Sequence, residues 1–291
     1  MTGERKQAGV IGYPLAHSIS PQFQQPAFDA LGLPVSYRAY EVPPERLRAF
    51  LDAVRGPNWL GCNVTIPHKQ AVFELVDGVS KEASLIGAVN TVVNRDGRLL
   101  GHNTDEAGFL RALVEDAGYQ VAGQRAVLLG ARGAARAVAV ALLRAGLAHL
   151  TIANRTVAQA ELLADAMGAA FGADRVAAMP LAAEALRAPL AEATLLVNST
   201  SVGMAHGPAP DVSPVDGALL GPHLLVYDLV YNPARTALLA AAQAAGARTQ
   251  EGLPMLIYQG AASFELWTGR PAPIQLMLEH GRRALARATG G

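Results

Sequence analysis

The stretch LLGARGAARA, residues 128–137, carries a short apolar run through a glycine turn into an alanine-rich segment. That layout is a strand, a tight turn and a helix. Its spacing approximates G-x-G-x-x-G/A, the loop that presents backbone N–H groups and a helix N-terminus to a pyrophosphate. Gly130 and Ala135 hold the outer positions, and Arg132 stands in the middle one. Gly133 follows directly and keeps a second flexible unit beside the arginine. The loop therefore reads as a working variant with an added cation, which is expected to contribute to phosphate binding at some cost in loop freedom.

The next strand identifies the nucleotide. About 20 residues past the glycines, an NAD site carries Asp or Glu for the ribose hydroxyls, whereas an NADP site carries arginine for the 2'-phosphate. Here LTIANRT, residues 150–156, ends in Asn154, Arg155 and Thr156 and has no carboxylate. A guanidinium flanked by an amide and a hydroxyl suits a phosphate, which it holds by paired, charge-assisted bonds. NADP is the expected cofactor.

Working outward, 291 residues suit two modest domains, each with a core of its own. Half the chain is apolar, yet no apolar run approaches the roughly 20 residues of a membrane span. The start MTGERKQAGVIGY has no apolar leader segment, and one cysteine, Cys62, excludes an internal disulfide and a CxxC pair. A cytoplasmic protein is expected. Lys plus Arg and Asp plus Glu each number 24, so no basic footprint points to nucleic acid. A small-molecule partner is expected, with no metal, because no cluster of metal-ligand spacing is visible.

Residues 8–66 alternate short strands with helices, which predicts parallel β-α-β units. NTVVNRDGRLLGHN, residues 90–103, places two apolar runs around Asp96-Gly97 and predicts a hairpin at a sheet edge. The strand–helix rhythm restarts with RAVLLG at 125–130 and continues through LTIANR, TLLVNST and LLVYDLVY, ending in the helix PARTALLAAAQAAG. The tail from residue 253 is helical and has no strand of its own, so it is expected to return to the first domain. The reading is thus α/β with two domains: 1–103 for substrate, 104–252 of Rossmann type for NADP, and 253–291 as C-terminal helices packing back on the substrate domain.

Polar residues cluster where strands end. HSISP offers Ser18 and Ser20, CNVTIPHK offers Asn63, Thr65 and Lys69, GAVNTV offers Asn90, and GHNTDEAG offers Asn103 and Asp105. Singly, each has a plain structural explanation: Ser20 or Asp105 caps a helix, and Lys69 stands in solvent. A lysine just inside a helix N-terminus nevertheless faces the positive end of the dipole, which calls for a nearby anion. Together the groups form the inventory of a site for a polyhydroxylated acid. Hydroxyls take a carboxylate, amides take ring hydroxyls, and a Lys/Asp pair moves one proton. With NADP, that inventory points to interconversion of a ketone and a secondary alcohol.

In this order the motifs resemble those of the shikimate/quinate dehydrogenase family over nearly the whole chain. IGYPLAHSISP, GCNVTIPHK, GAVNTV, GHNTDEAG, ANRT, NSTSVGM, DLVYNPARTALL and GLPMLIYQGAASFELWTG each resemble a landmark of it. The resemblance implies a substrate domain, a Rossmann-type domain, a cleft between them, and NADP-dependent reduction of 3-dehydroshikimate to shikimate in aromatic amino-acid biosynthesis. It implies that Lys69 and Asp105 are catalytic and that Ser18, Ser20, Thr65, Asn90, Tyr231 and Gln259 bind substrate. Gly130, Ala131, Arg132, Gly133, Ala134, Asn154, Arg155, Thr156, Thr200, Gly252 and Met255 fall on positions resembling the cofactor site, although Met255 and Gln259 read from spacing alone as buried helix residues. The first helix departs from the family, with Gln24 and Gln25 where His-Asn is usual, and this puts support of the serine loop in question. Three readings stay open: a shikimate dehydrogenase, working as monomer or homodimer; a quinate or dual-specificity dehydrogenase; and a catalytically silent nucleotide-binding sensor on the same scaffold.

Overall fold

The computed structural model describes residues 5–289. The chain divides into two compact units, residues 1–108 with 257–291, and residues 109–256. No helix among the described residues is long and apolar enough to cross a membrane.

The first unit contains strands β1 (Lys6–Gly12), β2 (Val35–Glu41), β3 (Gly61–Val64), β4 (Gly78–Val79), β5 (Thr91–Arg95) and β6 (Arg98–His102). Its helices are α1 (Ser20–Ala30), α2 (Leu47–Val54), α3 (Lys69–Phe73), α4 (Lys81–Ile86) and the start of α5 (Asp105–Arg111). The sheet order is β2-β1-β3-β5-β6-β4. β1 runs parallel to both neighbours, as the β-α-β alternation predicts, and β5 turns antiparallel to β3. Asp96 and Gly97 both take positive φ, the requirement of a two-residue hairpin turn, and join β5 to β6. The hairpin does not form the sheet edge as expected. Two-residue β4 pairs parallel to β6 outside it, too short to carry a periodicity signal.

On α2, Leu47, Leu51 and Val54 recur at helical spacing and join Ile11, Val64 and Leu99 in one core. The tail forms α10 (Leu253–Thr268) and α11 (Ile274–Thr289). Residues of α10 from Ile257 onward, and α11, belong to the first unit, as expected of helices without strands. The ring of Phe264 packs tilted against that of Phe28, centroids 4.7 Å apart, and Trp267 Nε1 donates to the Val92 carbonyl at 2.9 Å. Fully buried Phe264 contributes about 1.5–3 kcal/mol of transfer free energy. Gln25 pins α1 to β2: its Oε1 accepts from Tyr37 N at 2.7 Å and its Nε2 donates to the Val35 carbonyl at 3.1 Å.

The second unit has β7 (Arg125–Leu129), β8 (His149–Asn154), β9 (Val176–Pro180), β10 (Leu195–Asn198), β11 (Leu225–Asp228) and β12 (Arg248–Gln250). Between them run α6 (Gly133–Arg144), α7 (Val157–Phe171), α8 (Ala183–Glu192) and α9 (Ala237–Ala244). All pairs are parallel, in the order β12-β11-β10-β7-β8-β9. Renumbered within the unit, this is the doubly wound order of a dinucleotide-binding fold, whose switch point lies between β7 and β10. β10 and β11 are buried along their whole length, as strands covered on both faces must be. β9 and β12 flank them as half-exposed edge strands.

Candidate active site

Three loops of the second unit leave the carboxyl ends of β7, β8 and β10, where an open parallel sheet receives a ligand. The first starts at Gly130, whose N–H donates to the Ala153 carbonyl at 2.8 Å and whose φ is +103°. A Cβ there would sit 2.6 Å from Ser199 Oγ and 3.3 Å from Thr200 Cγ2. Glycine at 130 is thus what lets the β7 and β10 loops close on one another. Ala131 and Arg132 follow, and α6 begins at Gly133 and Ala134 with Arg132 as an extended N-cap residue. The exposed guanidinium of Arg132 has no partner among the described residues, and neither has that of Arg155. Asn154 Nδ2 donates to the Thr156 carbonyl at 2.9 Å and so braces the turn that presents Arg155. Two unneutralised cations beside a helix N-terminus and a glycine cradle fit an anionic dinucleotide.

Beneath these loops lies a buried polar support that sequence reasoning missed. Asp228, fully buried at the end of β11, accepts from Asn198 Nδ2 at 2.9 Å, Thr236 Oγ1 at 2.7 Å and Val230 N at 3.1 Å. Burial pushes its carboxyl above the ordinary value, and the Thr236, Val230 and Asn198 bonds pull it back. Asn198 Oδ1 in turn accepts from Thr200 N and Oγ1 at 3.0 and 2.7 Å, holding Thr200 in place. A faint local signal existed: in both NST and DLV the side chain caps the N–H two residues on.

In the first unit, Lys69 opens α3 and Asp105 opens α5, 36 residues apart in sequence. The lysine Nζ lies 2.5 Å from Asp105 Oδ2, with side-chain exposures of 18% and 7%. This is the anion that the lysine's place at a helix N-terminus calls for. Asp105 does not cap α5 with its carboxylate. Its second oxygen accepts from Asn90 Nδ2 at 2.8 Å, and its N–H donates to Asn103 Oδ1 at 3.0 Å. Asn90 Nδ2 also lies 3.2 Å from Gln259 Oε1 on α10. Asn90 is set by strand geometry, since its carbonyl receives Val64 N–H at 2.7 Å and its N–H reaches the His102 carbonyl at 3.0 Å.

The hydroxyl-bearing loops are tied to the same strand ends. Thr65 N donates to the Ile11 carbonyl at 2.9 Å, and Tyr13 N donates to the Ile66 carbonyl at 3.0 Å, joining the loops after β3 and β1. Ser18 and Ser20 lie with their Oγ atoms 3.3 Å apart. Ser20 does not cap α1, whose N-cap residue is Ile19 without a side-chain bond. Gln24 stands fully buried one turn on, and its Nε2 donates to the Gly260 carbonyl of α10 at 2.8 Å. With Gln25 holding β2, the serine-bearing helix is anchored on both sides despite its unusual pair.

A model of the shikimate dehydrogenase substrate-binding domain matches residues 10–92, one of shikimate/quinate 5-dehydrogenase matches 112–205, and one of the shikimate 5'-dehydrogenase C-terminal domain matches 252–280. The NADP(+)-type shikimate dehydrogenase of Symbiobacterium thermophilum is 47% identical over 94% of this chain and 93% of its own. The chain belongs to the shikimate dehydrogenase family. Among solved structures, the shikimate 5-dehydrogenase of Thermus thermophilus in complex with NADP(H) and shikimate superposes with a TM-score of 0.85 at 44% identity, covering 96% of this chain and 100% of that one. The quinate dehydrogenase of Corynebacterium glutamicum in complex with NAD gives 0.87 at 34% identity, over 96% and 99%.

The remaining residues that the family resemblance marks lie beyond β11. Tyr231 is half-buried, and burial pushes its phenol above the ordinary value. Gly252 packs on the backbone leading to it, for a Cβ there would meet the Leu229 carbonyl oxygen at 2.4 Å. Met255 is buried, as its helical spacing predicts, whereas Gln259 keeps partial exposure and faces Asn90.

Proposed function

We propose that this chain is an NADP-dependent shikimate dehydrogenase, interconverting 3-dehydroshikimate and shikimate in aromatic amino-acid biosynthesis. The observation that carries the reading is the Lys69–Asp105 pair with Asn90 on its second carboxylate oxygen, in a chain whose relatives of that name cover nearly all of it. The first unit, residues 1–108 with 257–291, is the substrate domain and the second, residues 109–256, the NADP domain, each boundary a few residues beyond the 103 and 252 expected from the sequence. Gly130, Ala131, Gly133, Ala134 and Thr200 cradle the pyrophosphate side, with Gly252 and Met255 contributing to the same site, and Asn154, Arg155 and Thr156 hold the 2'-phosphate. When bound, NADP(H) supplies the hydride.

The protein's own part is orientation and proton handling. Lys69 donates a proton from Nζ to the oxygen that becomes the alcohol and takes it back in the reverse direction. Asp105 holds that ammonium in line, its carboxylate oxygen 2.5 Å from Lys69 Nζ. Asn90 and Gln259 address the ring hydroxyls, Thr65 assists them, and Ser18, Ser20 and Tyr231 take the carboxylate. A cytoplasmic location is part of the reading and fits the single Cys62, fully buried with its thiol pushed up to about 12.

Steady-state rates with shikimate and quinate, each with NADP and NAD, test the proposal. Shikimate with NADP is expected to give the highest kcat/KM; quinate with NAD as the best pair would overturn it. Arg132 is expected to add affinity without specificity. Arg132→Gly should weaken NADPH binding about twofold to fivefold at low salt, the worth of an exposed charge pair, and less at high salt. If the Kd and its salt dependence stay unchanged, the side chain takes no part in phosphate binding.

A further inference from the structure

α10 carries a second polar side chain on the face that presents Gln259. Ser263 lies four residues on, so the two stand one above the other, and Ser263 is fully buried. Its Oγ lies 3.0 Å from the Gln259 carbonyl, 2.9 Å from Asn63 Nδ2, 2.7 Å from Thr91 Oγ1 and 3.2 Å from Thr104 Oγ1. The serine O–H donates to the Gln259 carbonyl and Asn63 N–H donates to the serine Oγ, while either oxygen can be the donor in its contacts with Thr91 and Thr104.

The identity of those partners gives the arrangement its meaning. Asn63 stands two residues before Thr65, Thr91 directly follows Asn90, and Thr104 directly precedes Asp105. Each segment that delivers a site residue from β3, β5 or the start of α5 therefore meets the same oxygen. Thr104 and Asn90 are bound to one another as well, Thr104 N donating to Asn90 Oδ1 at 2.8 Å and Asn90 Nδ2 to Thr104 Oγ1 at 2.8 Å. Apolar contacts at Phe264 and Trp267 hold α10 against the unit, but dispersion tolerates small rotations about a helix axis. Hydrogen bonds are directional and weaken steeply away from line.

We propose that Ser263 is a positioning residue that sets the rotation of α10, and so the place of Gln259, against Asn90 and Asp105. It acts on substrate recognition and leaves the cofactor alone. This rests on the reading of Gln259 and Asn90 as substrate contacts.

The test is a double-mutant cycle of Ser263→Ala and Gln259→Ala, read as KM and kcat for shikimate, NADP Kd and thermal midpoint. Alanine at 263 is smaller and a better helix former, so the variant folds. Ser263→Ala is expected to raise the shikimate KM about threefold to tenfold, the equivalent of one buried hydrogen bond, with kcat moving less and NADP Kd unchanged. Gln259→Ala should cost less in the Ser263→Ala background than in the wild type, because the first change has already spoiled the contact. Ser263→Thr, which keeps a hydroxyl able to bond the carbonyl four residues back, should restore KM. A lowered thermal midpoint with wild-type KM, or effects that simply multiply, would overturn the proposal and leave Gln259 as a substrate contact. A Gln259→Ala variant with unchanged KM would instead overturn that reading, and this proposal with it.

Discussion

Lys69→Met is expected to lower kcat for shikimate oxidation by roughly 10²–10⁴-fold, the range for loss of a positioned acid–base group, while NADP Kd stays within about twofold of wild type. The separation follows from the fold. Lys69 is set by α3 in the first unit, and the residues proposed to hold the nucleotide follow β7, β8, β10 and β12 in the second. The substitution also strands the Asp105 carboxylate, which is 7% exposed and, among the described residues, keeps the single bond from Asn90 Nδ2. Removing one partner of a buried pair is destabilising, so rates must be taken well below the thermal midpoint. Lys69→Met with Asp105→Asn removes the stranded charge and should recover stability without recovering turnover. Near-native turnover in Lys69→Met would take the lysine out of the mechanism.

Arg155→Ala is expected to cut kcat/KM with NADP about tenfold to a hundredfold, which corresponds to the 1.5–3 kcal/mol typical of hydrogen bonds to charged groups. With NAD, which lacks the 2'-phosphate, the value should hardly change. The guanidinium is exposed and carries no internal partner among the described residues, so its removal breaks nothing else. The two cofactors are therefore a clean contrast. An equal loss with both would mean that Arg155 shapes the turn after β8, as Asn154 does through the Thr156 carbonyl, instead of reading the phosphate.

Much of this was legible before any coordinates, because the signals were local. The Asp96-Gly97 turn, the strand–turn–helix at 128–137 and Arg155 at the end of β8 each depend on a few neighbouring residues whose backbone preferences or charge carry the information. Even the Lys69 anion was foreshadowed, since a cation at a helix N-terminus is unfavourable unless something compensates it. The edge strands β4, β9 and β12 were not legible. β4 and β12 have two and three residues, and β9, VAAMP, is half-buried and alanine-rich, so none shows a two-residue alternation. They exist because a neighbouring strand already offers free N–H and C=O groups.

Ser263 shows the other limit. Along α10 it is one more small residue in a buried helix, indistinguishable by periodicity from Ala261. Its bond to Asn63 spans 200 residues of sequence. Gln24 is similar: by sequence it is a departure whose effect cannot be read, and its carbonyl partner at Gly260 is 236 residues away. By itself, then, the sequence determined the class of fold, the expectation of NADP and the types of side chain gathered for the chemistry, all of which follow from short-range backbone and charge rules. Only the tertiary structure decided which oxygen each buried N–H and O–H would meet, because buried polar groups need partners and those partners come from strands and helices far apart in the sequence.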